Sequence, residues 1–202
     1  NFLIARRLMY WQVYLHKTVI AADQLLVNLL KRAKFLGEKG VSLFATPALE
    51  AFLRNDPTKE DFKTDRQWLD NFALLDDFDV FTSVKVWTTH PDQILSDLCT
   101  RMVTRNLFRV EMQTASFDRG YVERVREKTI LLLKLAPPDV EYYFTCDKVE
   151  NKAYNPRHER IMIREKSNQL TDISEVSEQL NNAVIPTTVS KYILCYPKDV
   201  CI

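Results

Sequence analysis

Apolar residues recur at helical spacing through Leu15, Val19, Ala22, Leu25, Leu26, Leu29, Leu30 and Ala33. The pattern predicts one long helix over residues 2–36, stopped by Gly37 and Gly40. Large side chains on both sides of its first half predict burial of that half between other elements. A polar, loop-rich stretch follows. Thr46-Pro47 opens a short helix over residues 48–53, because proline fits a first turn, and Asn55-Asp56-Pro57 is turn chemistry. Further helices are predicted over residues 65–73, 77–87 and 91–105. Asp76 or Asp77 can cap the second of these, and His90-Pro91-Asp92 marks the start of the third.

The period changes after Asn106. Residues 107–113 (LFRVEMQ) alternate apolar and polar, the mark of a half-buried strand. Residues 118–134 return to a helical pattern that Pro137-Pro138 ends, and residues 140–145, 160–164 and 191–195 read as further strands. The fold class is therefore α+β. A mainly helical region over residues 1–106, led by the long helix, precedes a small mixed or antiparallel α+β subdomain over residues 107–202. A ferredoxin-like topology is one arrangement that fits this order.

Composition narrows the chemistry. Lys and Arg number 28 against 27 Asp and Glu, so the chain has no global preference for polyanions and any nucleotide site must be a local basic patch. Only three glycines are present, which excludes a P-loop or a Rossmann glycine-rich turn. Cys99, Cys146, Cys195 and Cys201 show no CxxC spacing and read as reduced thiols of a cytoplasmic protein, with a Cys195–Cys201 bridge as the alternative. No apolar run approaches the ~20 residues of a membrane span, and no signal peptide is visible.

His16, His90 and His158 lie far apart and outside any HxH or HExxH pattern, so no metal site is expected from this chain's own residues. Asp76, Asp77 and Asp79 read as the negative N-terminus of a helix, with a divalent-cation site as the other reading. No GxSxG is present. The segment from Arg6 to Val19 (RRLMYWQVYLHKTV) is different in kind. On a continuous helix Arg6, Arg7, Tyr10, Tyr14 and Lys17 share one side, where guanidiniums and phenols can hold a phosphate and a sugar or base. His16 lies roughly 100° round from Lys17, so one helix can serve two pockets. Arg101, Arg105 and Arg109 form a second basic group, either a solvated face or a polyphosphate clamp.

The Arg6–Val19 segment resembles the helix that follows the catalytic core in HD-domain dNTP triphosphohydrolases, the family of the animal enzyme that joins a sterile-alpha-motif domain to an HD domain. Tyr14, His16 and Lys17 carry its most specific spacing, and residues 105–109 (RNLFR) resemble a second family motif. The resemblance implies that Arg6, Tyr10 and Tyr14 line the substrate pocket, although the animal enzyme usually has His where Tyr10 stands. It implies that His16 and Lys17 face a regulatory nucleotide site between subunits, with Arg105 and Arg109 on its phosphates; the animal enzyme has Lys in place of Arg109. The family's H…HD…D metal ligands precede this helix, and the present chain contains no HD dipeptide.

The expectation is thus a C-terminal fragment of such an enzyme, inactive alone. Its partners would be its own N-terminal catalytic region with a divalent metal, dNTP or dGTP nucleotides, and further copies in a homo-oligomer. The competing readings are a nucleic-acid-binding module, which the near-neutral charge disfavours, and a purely structural or oligomerisation domain.

Overall fold

The structure, a computed structural model, describes residues 2–151, 160–173 and 189–201. The expected long helix is broken. Helix α1 (Phe2–Met9) runs into a π-helical turn (Tyr10–Tyr14), in which the Leu15 N–H reaches back to the Tyr10 carbonyl at 2.9 Å. Leu15 then leaves helical geometry, His16 is extended (φ −69, ψ 135), and α2 (Lys17–Glu38) starts afresh. The His16 side chain makes the break possible: its Nδ1 accepts the Thr18 N–H at 3.3 Å and so caps α2. Contrary to the expectation of burial, Leu8, Met9, Val13 and Tyr14 are exposed.

The spine of the chain is α2. It buries Leu25, Leu29, Ala33 and Leu36, one face at helical spacing. Against that face pack α3 (Pro47–Arg54), α6 (Asp77–Trp87) and α7 (Gln93–Thr104), through Leu49, Leu53, Val84, Trp87, Leu95 and Leu98. Gly37 does not stop the helix. It lies inside α2 where α3 crosses, and a Cβ there would sit 2.6 Å from the Leu53 carbonyl oxygen. The chain turns at Gly40 (φ +76).

Two short helices, α4 (Asp61–Thr64) and α5 (Arg66–Leu74), flank α3. They gather Phe62, Trp68 and Phe72 around Phe52, with ring centroids about 6 Å apart. Asp76, not Asp77, caps α6, in a capping box that also uses Asp79. The acidic cluster is therefore the start of a helix.

Strands β1 (Arg109–Gln113), β2 (Thr145–Asn151) and β5 (Val189–Tyr196) form an antiparallel sheet in the order β1-β5-β2. Val110 on β1 and Ile193 and Cys195 on β5 pack on Ile20 and Ala21 of α2. Leu194 and Tyr196 face the other way, onto Val125 of α8 (Arg119–Leu133). The sheet thus lies between α2 and α8. The strand expected over residues 140–145 is instead a 3₁₀ turn (Pro137–Tyr142) that buries Val140, and β2 starts only at Thr145. Two prolines fix the turn's opening dihedrals, which a strand reading overlooks.

Because β1 and β2 both run antiparallel to the β5 between them, they enclose α8 in a split β-α-β unit. The fourth strand and second helix of a ferredoxin-like fold are not present among the described residues. The separate ribbon of β3 (Met162–Arg164) and β4 (Leu170–Asp172) lies in the connection from β2 to β5. His158 lies outside the described residues. All four cysteines are free thiols, so the Cys195–Cys201 bridge is not formed.

Candidate functional site

The break at residues 15–16 divides the predicted site residues into groups. Arg6, Tyr10 and Tyr14 stay together. The Arg6 guanidinium lies 5.8 Å from the Tyr10 ring centroid, and the Tyr10 and Tyr14 rings are 5.0 Å apart at 44°. Spacing by four residues along α1 and the π turn stacks them into one cationic–phenolic ladder. Arg6 and Tyr10 are partly buried and Tyr14 is half exposed, so donors and ring faces are offered outward.

His16 and Lys17 belong to α2 and are exposed at its first turn. The helical count that placed Lys17 beside Arg6 does not cross the break. With Nδ1 accepting from Thr18, Nε2 is the ring nitrogen left for a ligand. Lys17 stands where helix N–H groups are unpaired, a place that favours an anion.

Arg105 ends α7 in the left-handed conformation (φ 59, ψ 27), and the Asn106 N–H closes the turn on the Arg101 carbonyl at 2.9 Å. Glycine is the ordinary residue there, and an arginine holds that geometry at a cost of about 1 kcal/mol. The Arg105 side chain lines a cavity of about 460 Å³ between α2, α6 and α7. Thr18 and Ala22 line it from α2, directly after Lys17. Phe81, Val84, Met102 and Leu107 make the wall apolar, and Lys85 stands with Arg105 as its second cation. The fold therefore brings the start of α2 and the end of α7 to one concavity: an apolar slot with basic groups beside it, dimensions and chemistry that suit a base and its phosphates. Sequence reading missed Lys85 and Phe81; their i, i+4 spacing on α6 was the available signal, but a single lysine on an ordinary helix gives no reason to be singled out.

Arg109 is placed elsewhere. It shares with Glu111 the sheet face turned to α8, opposite Tyr196 in the register. There the Tyr121 hydroxyl donates to Glu111 at 2.8 Å, and the Tyr196 hydroxyl donates to the same carboxylate. Burial first, then the bonded Glu111 carboxylate, pushes the Tyr196 phenol well above the usual tyrosine range, while Arg109 pulls it the other way. Arg101, the third member of the predicted basic group, is buried and paired with Asp97 at 2.7 Å. Neither residue joins Arg105 at the cavity.

Among the described residues no three His, Cys, Asp or Glu side chains converge as a metal site. None of the helices described is long and apolar enough to cross a membrane.

No family profile matches the chain. It is similar to the crystal structure of a phosphohydrolase from Bacteroides thetaiotaomicron, with 40% sequence identity and a TM-score of 0.84 over 98% of this chain and 49% of that one. It is also similar to the uncharacterized protein YwfO of Bacillus subtilis, 28% identical over 98% of this chain and 44% of that protein. The chain thus spans about half the length of the relatives it matches. The likeness at 40% identity supports a phosphohydrolase fold for the described chain.

Proposed function

We propose that this chain is the C-terminal part of a dNTP triphosphohydrolase of the HD superfamily. In this reading Arg6, Tyr10 and Tyr14 form one wall of the substrate pocket. His16, Lys17 and Arg105 form part of a regulatory nucleotide site that a second subunit completes. Catalysis belongs to an N-terminal HD region that holds a divalent metal, whose chemistry would be to activate a water for attack on the α-phosphate. The described residues do not offer a ligand set for that metal, and the chain is inactive alone.

One observation carries the reading: the capped break at His16 separates two sets of cationic and aromatic side chains that are consecutive in sequence. One set is the Arg6–Tyr10–Tyr14 ladder and the other stands beside the cavity of Arg105. A structural domain has no need of a partly exposed arginine–tyrosine ladder, nor of an arginine in a glycine position at a cavity. The family resemblance alone would add Arg109 as a phosphate contact; its place on the sheet face turned to α8 keeps it out of the Arg105 cavity.

The test is kinetic and uses the full-length protein. Arg6→Ala should lower kcat/KM for dATP hydrolysis by about 10- to 100-fold, the weight of one or two charge-assisted hydrogen bonds. Arg105→Ala should leave hydrolysis at saturating effector little changed and raise the dGTP concentration needed for activation by a similar factor. Activation by dGTP and binding of dATP must then be coupled in both directions. Hyperbolic kinetics with no response to a second nucleotide would remove the regulatory part. Unchanged nucleotide affinity in both variants would leave only a structural domain.

A further inference from the structure

On another side of α2, roughly 130° round from Thr18 and Ala22 by the helical count, lies a second cavity of about 600 Å³. Gln24, Asn28 and Lys31 line it from α2, at positions i, i+4 and i+7. Tyr142 closes the 3₁₀-turn side, and Thr145 and Asp147 form the β2 side.

Asn28 is 2% exposed. Its side-chain nitrogen donates to the Tyr142 carbonyl at 3.1 Å. Its oxygen, Oδ1, accepts no hydrogen bond among the described residues. A buried amide acceptor without a donor is uncommon and unfavourable, and here it belongs to a residue that lines a cavity.

The charges around that acceptor say what kind of molecule would satisfy it. Lys31 and Arg126 are balanced by Glu141 and Asp147, and Arg126 is already bound to Glu141 at 3.2 Å. A polyphosphate would meet as much repulsion as attraction. Two primary amides one helical turn apart offer instead alternating donors and acceptors to a planar N–H/C=O edge. We propose that this cavity binds a nucleoside through the amide edge of its base, the guanine, hypoxanthine or pyrimidine-dione type, and does not bind the corresponding triphosphate. The base N–H donates to Asn28 Oδ1, the Gln24 amide pairs with the adjacent base carbonyl, and Lys31, Thr145 and Asp147 are left for sugar hydroxyls. The volume accommodates one such ligand. The inference rests on this cavity and is independent of the triphosphohydrolase reading.

The experiment titrates the full-length protein with deoxyguanosine, with 1-methyldeoxyguanosine (which lacks the N1–H) and with dGTP, following heat of binding and the side-chain amide signals of a nitrogen-15-labelled sample. Expected are saturable deoxyguanosine binding, shifts of the Gln24 and Asn28 amide signals, and about tenfold weaker binding of the methylated nucleoside and of the Gln24→Leu variant. Arg105→Ala should leave deoxyguanosine binding unchanged, which separates this site from the regulatory one. No saturable binding at millimolar deoxyguanosine overturns the proposal. So does equal binding of the methylated form, or displacement of deoxyguanosine by dGTP at equal affinity.

Discussion

Removing the Arg32 guanidinium should cost this fold more than any other single charge. Arg32 sits on α2 with 12% of its side chain exposed. Its Nε and Nη2 bind both oxygens of Asp92, at 3.1 and 2.6 Å, and Nη1 reaches Asp139 at 3.2 Å. The rings of Phe35 and Tyr142 each lie 5.2 Å from the guanidinium carbon. One side chain thus ties α2 to the start of α7 and to the 3₁₀ turn. The hydrogen bonds that Arg32 donates to Asp92 raise the Arg32 pKa well above the usual arginine range, outweighing burial. For Asp92, burial alone would raise the pKa, but the Arg32 hydrogen bond and the Leu95 N–H together hold it below the usual carboxylate range.

In Arg32→Met the aliphatic packing is kept and Asp92 is left buried without its cation. Breaking such a pair from one side costs about 3–5 kcal/mol. The partial exposure of Asp139, at 30% of its side chain, lets water compensate in part, which places the expectation near the lower end, about 3 kcal/mol. The sign with pH follows. In the parent chain Asp92 has a depressed folded pKa, so its stabilisation is present above the unfolded value, near 3.9, and fades as pH falls through the folded value. In the variant, burial dominates and the folded pKa moves up, so the remaining contribution is lost as pH rises. The deficit of Arg32→Met should therefore be large at pH 7 and small near pH 3. Urea unfolding at the two pH values, with Asp92→Asn as the second arm of a double-mutant cycle, measures it. A loss under about 1 kcal/mol at pH 7, or a loss that does not change with pH, would refute the reasoning.

Gly37→Ala places a methyl 2.6 Å from the Leu53 carbonyl oxygen, and should destabilise by about 2 kcal/mol, read as a lowered thermal midpoint. Asp76→Ala removes the capping box of α6 and should cost about 1 kcal/mol by denaturant unfolding, with Asp76→Asn recovering most of it. Burial pushes the Cys99 and Cys195 thiols up to about 12, whereas Cys201 is exposed. A thiol reagent at neutral pH should therefore label Cys201 first and reach Cys99 and Cys195 only with unfolding.

The elements with strong local signals were legible. Asp65, Asp92 and Asp118 each accept a first-turn N–H of the helix they precede, so three of the predicted helix starts are fixed by short-range chemistry. The 3₁₀ turn was not legible: Val140, Tyr143 and Phe144 are apolar because they are buried, and apolar residues in a short run do not say whether a strand or a tight turn buries them. The site residues were legible as residue types and not as places. Arg101, Arg105 and Arg109 read as one group, yet Arg101 is a buried ion pair, Arg105 lines a cavity and Arg109 lies on the far face of the sheet. Position along the chain cannot tell these apart, because the helix end between Arg105 and Arg109 changes direction through a left-handed residue that is not glycine.

The break at His16 was invisible for a related reason, and it yields the sharpest test of the proposed regulatory site. No glycine, proline, serine or aspartate marks it, and a histidine supplies the cap. Nδ1 is used inside the fold, so a nucleotide at this place can be met only by Nε2, and loss of the imidazole mixes two effects. Substitution can separate them. His16→Asn supplies a better cap oxygen at the same backbone geometry and removes Nε2. Its stability should equal or exceed that of the parent, while the response to dGTP should fall by about tenfold, the weight of one hydrogen bond to a charged group. His16→Ala should lose the same response together with about 1 kcal/mol of stability. If His16→Asn instead keeps the full dGTP response, His16 is a cap and nothing more, and the regulatory site must be rebuilt from Lys17 and Arg105 alone.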